Sequence, residues 1–126
     1  MIRINHRGDF DKLEKFFKRN ASSTKYLRIL EKYGQQGVDA LSANTPVDSG
    51  KTASSWYYKI KRTRRGATIT WYNSNITSGV PIAILLQYGH ATGSGGFVEG
   101  VDFINPALKP IFEKMSIEIW REVSAL

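Results

Sequence analysis

The chain has 126 residues, of which 41% are hydrophobic and 12% aromatic, enough for one folded domain and too few for a second core. Its 18 lysines and arginines exceed its 11 aspartates and glutamates, which gives a net charge of +7, and it contains no cysteine. This composition excludes disulfide-rich modules, cysteine-ligated zinc sites, thiol enzymes and a transmembrane helix, which needs about 18 consecutive apolar residues.

Two N-terminal helices are predicted from apolar side chains at helical spacing. The first covers about residues 9–19, with acidic side chains at its N-terminus. The second follows a polar break at residues 20–23, and its apolar stripe consists of Leu27, Leu30, Gly34, Val38 and Leu41. Within a helix Gly34 and Gly37 each cost about 1 kcal/mol relative to alanine. We therefore expect either a close approach of another backbone or a bend at these glycines.

A compact turn is predicted after the second helix. The helix must end before Pro46, because proline disfavours helical geometry in the residue before it. Aspartate and serine can bind backbone amides in such a turn, and Gly50 would tolerate a positive φ. The residues assigned to this structural turn are Pro46, Val47, Asp48, Ser49 and Gly50.

A β-hairpin is predicted from two segments of alternating polarity, residues 54–62 and 68–72. Between them Arg64, Arg65 and Gly66 form a turn, with Gly66 at the left-handed position. The side chains that the alternation places on the core face are Trp56, Tyr58, Ile60, Ile69 and Trp71.

Loops and one ambiguous apolar segment follow the hairpin. Residues 73–79 are a polar loop, which we expect to be mobile. Residues 80–88 fit a helix that buries Ile82, Leu85 and Leu86, although a strand is also possible. Residues 93–96 form a flexible glycine-rich loop, and a short strand begins after it at residue 97.

A C-terminal helix completes the predicted fold. Asn105 is expected to cap it, with Pro106 at the first helical position. Its buried stripe recurs at every fourth residue and consists of Ile111, Met115, Ile119 and Val123. The predicted fold class is α+β, a single domain over residues 1–126 with N-terminal helices, a small antiparallel β-sheet built on a basic hairpin, and a C-terminal helix.

The sequence gives little support for a catalytic or cofactor-binding role. The histidines, His6 and His90, have no carboxylate partner suggested by their spacing. The glycines of residues 93–96 do not form a phosphate loop, because no lysine or arginine lies between Arg65 and Lys109. We therefore predict no catalytic residue, no cofactor, no metal site and no enzymatic activity.

Positive charge is concentrated on the predicted hairpin. No acidic residue occurs between Asp48 and Glu99, whereas acidic residues outnumber basic ones from Glu99 onward. This polarity is compatible with contact to a polyanion such as DNA, with head-to-tail self-association, or with solubility alone. The candidate DNA-facing or electrostatic patch consists of Lys59, Lys61, Arg62, Arg64 and Arg65.

Three ordered segments resemble the signatures of a known family. Residues 45–56 resemble the pattern A-P-V-D-T-G-x-L-x-x-S, residues 86–90 resemble h-E-[FY]-G-T, and residues 103–108 resemble P-F-h-x-P-A-h. These are signatures of the head–tail joining, or tail-completion, proteins of long-tailed bacteriophages and prophages, and the resemblance covers about residues 25–122. The departures are Gln87 in place of glutamate, Thr52 in place of leucine and Asp102 in place of proline.

The resemblance implies a structural virion protein without catalysis. Such a protein would assemble in the bacterial host cytoplasm into a ring, with six-fold symmetry as one candidate. The ring would lie in the virion at the head–tail junction or tail terminus, among other neck and tail proteins and with at most non-specific contact to DNA. The candidate subunit or partner contacts are Gln87, Tyr88, Gly89, His90, Phe103 and Pro106.

Two alternative functions remain open on the sequence. One is a small non-catalytic nucleic-acid-binding domain that uses the basic hairpin of residues 59–65. The other is an antitoxin-like or regulatory interaction protein. In the ring hypothesis, residues 73–79 and 90–96 are loops that become ordered on a neighbouring subunit.

Overall fold

Two long helices and a three-stranded antiparallel sheet build the core of the molecule. The structure, a computed structural model, describes residues 2–3, 24–46, 50–63 and 66–124. The helices in these ranges are α1 (Thr24–Asn44), α2 (Gly50–Ala53), α3 (Ile82–Tyr88) and α4 (Ile104–Ser124). The strands are β1 (Ile2–Arg3), β2 (Trp56–Thr63), β3 (Gly66–Asn73), β4 (Ile76–Thr77), β5 (Val80–Pro81), β6 (Gly89–Ala91) and β7 (Phe97–Glu99).

The predicted α+β class is confirmed, because α1 packs against α4 and against the hairpin of β2 and β3. In the described ranges no helix is long and apolar enough to span a membrane. Several predictions concern positions outside the described residues: the helix over residues 9–19, together with His6, Val47, Asp48, Ser49, Arg64 and Arg65.

The main sheet has the strand order β1-β3-β2, and its neighbours are antiparallel. The β2–β3 register runs from Trp56 opposite Asn73 to Thr63 opposite Gly66. Gly66 is therefore the first residue of β3 and not part of the turn, which corrects the predicted hairpin. The core side chains alternate as predicted, with Trp56, Ile69 and Trp71 buried.

Because Gly34 and Gly37 have no side chains, two aromatic side chains of the sheet can pack directly on the surface of α1. A Cβ at residue 34 would lie 2.6 Å from the Tyr58 ring, and one at residue 37 would lie 2.5 Å from the Trp71 indole. Trp71 is completely buried, and its Nε1–H donates to the carbonyl of Gly34 at 2.9 Å. The glycines thus accommodate side chains, not the second backbone that the sequence suggested.

The end of α1 is tied to the start of the hairpin. The helix ends at Asn44, before Pro46 as predicted. Thr45 is buried, and its Oγ1–H donates to the Leu41 carbonyl at 2.6 Å while its oxygen accepts the Trp56 Nε1–H at 2.9 Å. Gly50 begins α2 without a positive φ, and a Cβ there would meet open space. The predicted left-handed role of Gly50 is therefore wrong.

The predicted polar loop of residues 73–79 is replaced by the small β4–β5 hairpin. Its turn residues Ser78 and Gly79 have φ values of 52° and 79°, as a two-residue hairpin of the primed type requires. Buried amides anchor the segment: Asn73 Nδ2 donates to the Thr52 carbonyl at 2.8 Å and Asn75 Nδ2 donates to Thr52 Oγ1 at 2.9 Å. Thr52, a departure from the family signature, thus accepts two hydrogen bonds.

The ambiguous segment of residues 80–88 forms both elements, strand β5 followed by helix α3. Its buried face centres on Ala83 and Gln87, while Ile82, Leu85 and Leu86 are half-buried. The predicted short strand is confirmed as β7. The predicted flexible loop is the turn of the β6–β7 hairpin, in which the Thr92 amide donates to the Gly96 carbonyl at 2.9 Å.

Helix α4 begins at Ile104, two residues before the proline that was predicted to open it. Pro106 is therefore the third helical residue, and Asn105 donates to the Asp102 carboxylate at 2.9 Å without capping the helix. The second proline, Pro110, lies within the helix, where it cannot donate to the residue four positions earlier. The predicted buried stripe is confirmed at Ile111, Met115 and Ile119. The side chain of Val123, its fourth member, lies outside the described part of the chain.

A polar contact joins the exposed edge of the α1–α4 interface. Tyr33 donates a short hydrogen bond from its hydroxyl to Glu118 Oε2, and Lys32 Nζ lies 3.0 Å from the same oxygen. The Tyr33 bond is the largest influence that lowers the pKa of Glu118, while burial raises the pKa of Tyr33. The folded state therefore favours the ionised carboxylate.

The close packing of Gly37 predicts that Gly37→Ala is destabilising. Overpacking against the fixed Trp71 ring should outweigh the helix-propensity gain and lower the free energy of unfolding by about 1–3 kcal/mol. Gly50→Ala is the matched control, because its Cβ meets open space. It should leave stability unchanged or raise it by about 0.4–1 kcal/mol. Chemical denaturation measures both, and equal stability of the two variants would contradict this packing.

The Glu118 contact predicts a pH dependence of stability. Because the folded-state pKa lies below the ordinary 4.5, its contribution is complete above that value and is lost as the pH falls through the folded pKa. Glu118→Gln should remove this part of the acid dependence, whereas Glu113→Gln, on the exposed side of α4, should retain it. Tyr33→Phe should cost about 1 kcal/mol at neutral pH. Melting curves from pH 3 to 7 test this; identical acid profiles for all variants would refute it.

Candidate assembly surfaces

The predicted basic patch is divided between the two faces of the hairpin. Lys59 and Lys61 point to the outer face, opposite the core, whereas Arg62 alternates onto the side that carries Trp56. All three basic side chains are exposed. The alternation of a β-strand thus separates cations that are neighbours in the sequence.

Two tyrosines and two lysines form the outer face of the hairpin, and we call this set the tyrosine–lysine face (Tyr57, Lys59, Lys61, Tyr72). The Tyr57 and Tyr72 rings stack with centroids 5.3 Å apart and an interplanar angle of 20°. Lys59 Nζ lies 6.0 Å and 5.8 Å from the two ring centroids. The stack was not predicted, because it depends on the register that places Tyr57 opposite Tyr72.

Gln87, predicted as a partner contact, lies in the interior of the protomer with 7% of its surface exposed. Its Oε1 accepts the backbone N–H groups of Phe103 at 3.0 Å and Ile104 at 2.9 Å, and its Nε2 donates to Asp102 Oδ1 at 2.7 Å. These bonds satisfy backbone donors at the start of α4. Gln87 therefore caps α4 from α3, a role that the sequence analysis gave to Asn105.

The other predicted contact residues divide into buried and exposed positions. Phe103 is 5% exposed and packs edge-on against Trp56, so its side chain serves the core. Gly89 has a φ of 82°, and a Cβ there would lie 2.5 Å from the Val98 carbonyl. His90 is half-buried, with an Nδ1 that has no hydrogen-bond partner. Tyr88 is 69% exposed and Pro106 is also exposed, so both are available to a partner.

Exposed apolar side chains are concentrated around the β6–β7 hairpin. Phe97 is 65% exposed, and Tyr88, Val98 and Val101 are exposed as well. The backbone N–H of Val101 donates to the Leu86 carbonyl at 2.9 Å, which fixes this segment against the end of α3. Exposed apolar groups on a fixed segment are typical of protein-binding surfaces.

An open cleft of about 590 Å³ lies beside the start of α4. The hydrogen bond from Gln87 is the largest influence that lowers the pKa of Asp102, so this carboxylate stays ionised at neutral pH. The remaining lining includes two apolar side chains, a second acid and one lysine. We call the whole set the acidic cleft: Asp102, Asn105, Pro106, Lys109, Phe112 and Glu113.

In the described part of the chain, no group of three or more His, Cys, Asp or Glu side chains is placed so that it could bind a metal ion. The distinctive surfaces of the described protomer are the tyrosine–lysine face, the exposed β6–β7 hairpin and the acidic cleft. Such features are suited to contacts with other macromolecules.

Comparison with protein families identifies one match. A family model described as "Bacteriophage HK97-gp10, putative tail-component" matches residues 10–89, more than half of the chain. The match includes the long helix α1, the β2–β3 hairpin and helix α3. Comparisons with curated proteins and with solved structures found no match.

The capping role of Gln87 predicts a defined order of stabilities. Gln87→Leu removes the acceptor and should cost about 1–3 kcal/mol for each buried N–H left without a partner. Gln87→Glu retains the acceptor and places a negative charge at the start of a helix, which is favourable, but it faces the Asp102 carboxylate. Adding Asp102→Asn should therefore raise the stability of the Glu variant. Thermal unfolding measures the series; wild-type stability of Gln87→Leu would contradict the capping role.

Proposed function

The chain belongs to the HK97-gp10-like family of phage tail components, and from this premise we propose that it forms a ring that completes the tail and lets it join the DNA-filled head. The family is structural and non-catalytic, so the role of the chain in the virion is structural. The proposed position of the ring is the head–tail junction or the tail terminus. We further propose that residues 1–126 act as one domain of this kind.

The family match carries the proposal, and the surfaces of the protomer support it. Tyr88, Phe97, Val98 and Val101 expose apolar area on the β6–β7 hairpin, which a partner subunit would cover. The tyrosine–lysine face and the acidic cleft differ in charge. Surfaces of different character favour a heterologous contact, which closes into a ring when the rotation between subunits permits. Six-fold closure is one such arrangement.

Association with other virion proteins follows from membership of a tail-component family. We propose that the neighbours are neck and tail proteins and that assembly takes place in the bacterial host cytoplasm. Contact with DNA would be weak and non-specific, through exposed cations such as Arg62.

The proposal predicts the phenotype of a phage or prophage that lacks this gene. Electron microscopy of particles from a producing strain with the gene deleted should show filled heads beside unattached tails if the ring joins the two. Over-long tails would instead identify the chain as a tail terminator. Infectious virions in normal numbers would overturn the proposed function.

Complementation provides the control for the deletion. A plasmid copy of the wild-type gene should restore virion yield, which excludes an effect on neighbouring genes. A copy carrying Gly50→Ala should restore it equally, because Gly50 is exposed and its Cβ would meet open space.

A further inference from the structure

We propose that the tyrosine–lysine face of one protomer docks onto the acidic cleft of a second copy of the chain. This inference rests on the proposed ring and specifies which two surfaces meet. The cations of the first surface are Lys59 and Lys61. The lining of the second has two acids, Asp102 and Glu113, and one cation, Lys109, so its net charge is negative.

The composition of the tyrosine–lysine face favours a protein over a nucleic acid. The rings of Tyr57 and Tyr72 already stack on each other. A nucleic-acid base therefore cannot insert between them. Tyr57 still exposes 39% of its surface beside the Lys59 ammonium. An aromatic centre with charged groups at its rim is the usual composition of a protein interface.

The charge distribution of the chain favours a second copy as the partner. The sequence between Asp48 and Glu99 contains no acid, so the hairpin has no carboxylate of its own to balance Lys59 and Lys61. Both acids of the cleft, Asp102 and Glu113, belong to exposed residues of the C-terminal half. The chain therefore carries opposite charges on two separate surfaces, which complement each other between copies.

The cleft also provides the shape and the apolar area that such a contact needs. It is open, about 590 Å³ in volume, and its lining includes Pro106 and Phe112 between the acids. The apolar side chains of Phe97 and Val98, which precede Asp102 in the chain, are also exposed. Lysine side chains can bury their alkyl stems on such apolar surface while the ammonium reaches a carboxylate.

A charge-reversal experiment tests this pairing in the deletion strain. The first variant carries Lys59→Glu and Lys61→Glu, and the second carries Asp102→Asn and Glu113→Lys, which leave only positive charge in the cleft lining. Each alone brings like charges together and should lower virion yield by about a hundredfold or more. A chain that carries all four substitutions restores complementarity, and it should recover most of the yield.

Co-expression of the two variants provides an independent readout. Each variant repels its own copies but complements the other, so an alternating ring with an even number of subunits should form and restore the yield. The matched controls are Lys51→Glu and Glu31→Lys, exposed charges outside both surfaces, which should leave the yield unchanged. Wild-type yield from the first or the second variant alone would overturn the pairing.

A nucleic-acid role for the hairpin gives a different result. In that case Lys59→Glu with Lys61→Glu would lose function, and Asp102→Asn with Glu113→Lys would not restore it in the same chain or in the mixture. Failure of both rescues therefore overturns the inference. Failure of the proposed function is distinguished by the wild-type control, since the deletion itself would then leave normal virions.

Cross-linking decides whether the contact is head-to-tail. The chain has no cysteine, so Lys61→Cys with Glu113→Cys supplies the only thiols of this chain, and its cross-linked products are identified with an antibody to it. A short bis-maleimide added to purified particles should give a ladder of three or more linked chains, whereas Lys61→Cys with Glu31→Cys should not. Products that stop at dimers, or none, would overturn the head-to-tail pairing.

Discussion

The burial of Trp71 against α1 is the constraint on which the rest of the structure depends. Its indole reaches the helix because Gly34 and Gly37 have no side chains, and its N–H satisfies the Gly34 carbonyl. Its other side contacts Phe112 of α4 at a centroid distance of 5.9 Å. One side chain of β3 therefore fixes the positions of both long helices relative to the sheet, and with them the surfaces of the protomer.

A second set of contacts connects the main hairpin to the C-terminal half of the chain. Thr52 holds Asn73 and Asn75, which places β5 and α3 directly after the main hairpin. From α3, Gln87 then caps α4 through two backbone N–H groups. In the segment that resembles the family signature, Gln87 therefore stabilises the protomer itself. The residues left for partners are its exposed neighbours, Tyr88 above all.

The fold determines which charged side chains share a surface. Positive and negative charges separate along the sequence, and the hairpin then displays Lys59 and Lys61 on one exposed face. The Gln87 contact holds Asp102 ionised at the start of α4. A protein of a structural tail-component family associates with other virion proteins through such surfaces. Complementary surfaces would let identical protomers associate in one orientation.

The sequence by itself determined the elements whose signals are local. Three features were predictable in this way: the end of α1 before Pro46, the alternating core face from Trp56 to Trp71, and the stripe of Ile111, Met115 and Ile119. Periodicity and proline geometry act over a few residues. The family resemblance was also contained in the sequence. Only the tertiary structure decided the Tyr57–Tyr72 stack, the capping of α4 by Gln87 and the reason for two glycines in α1. Each of these joins residues far apart in the chain, and their contact depends on strand register and helix packing, which no local pattern specifies.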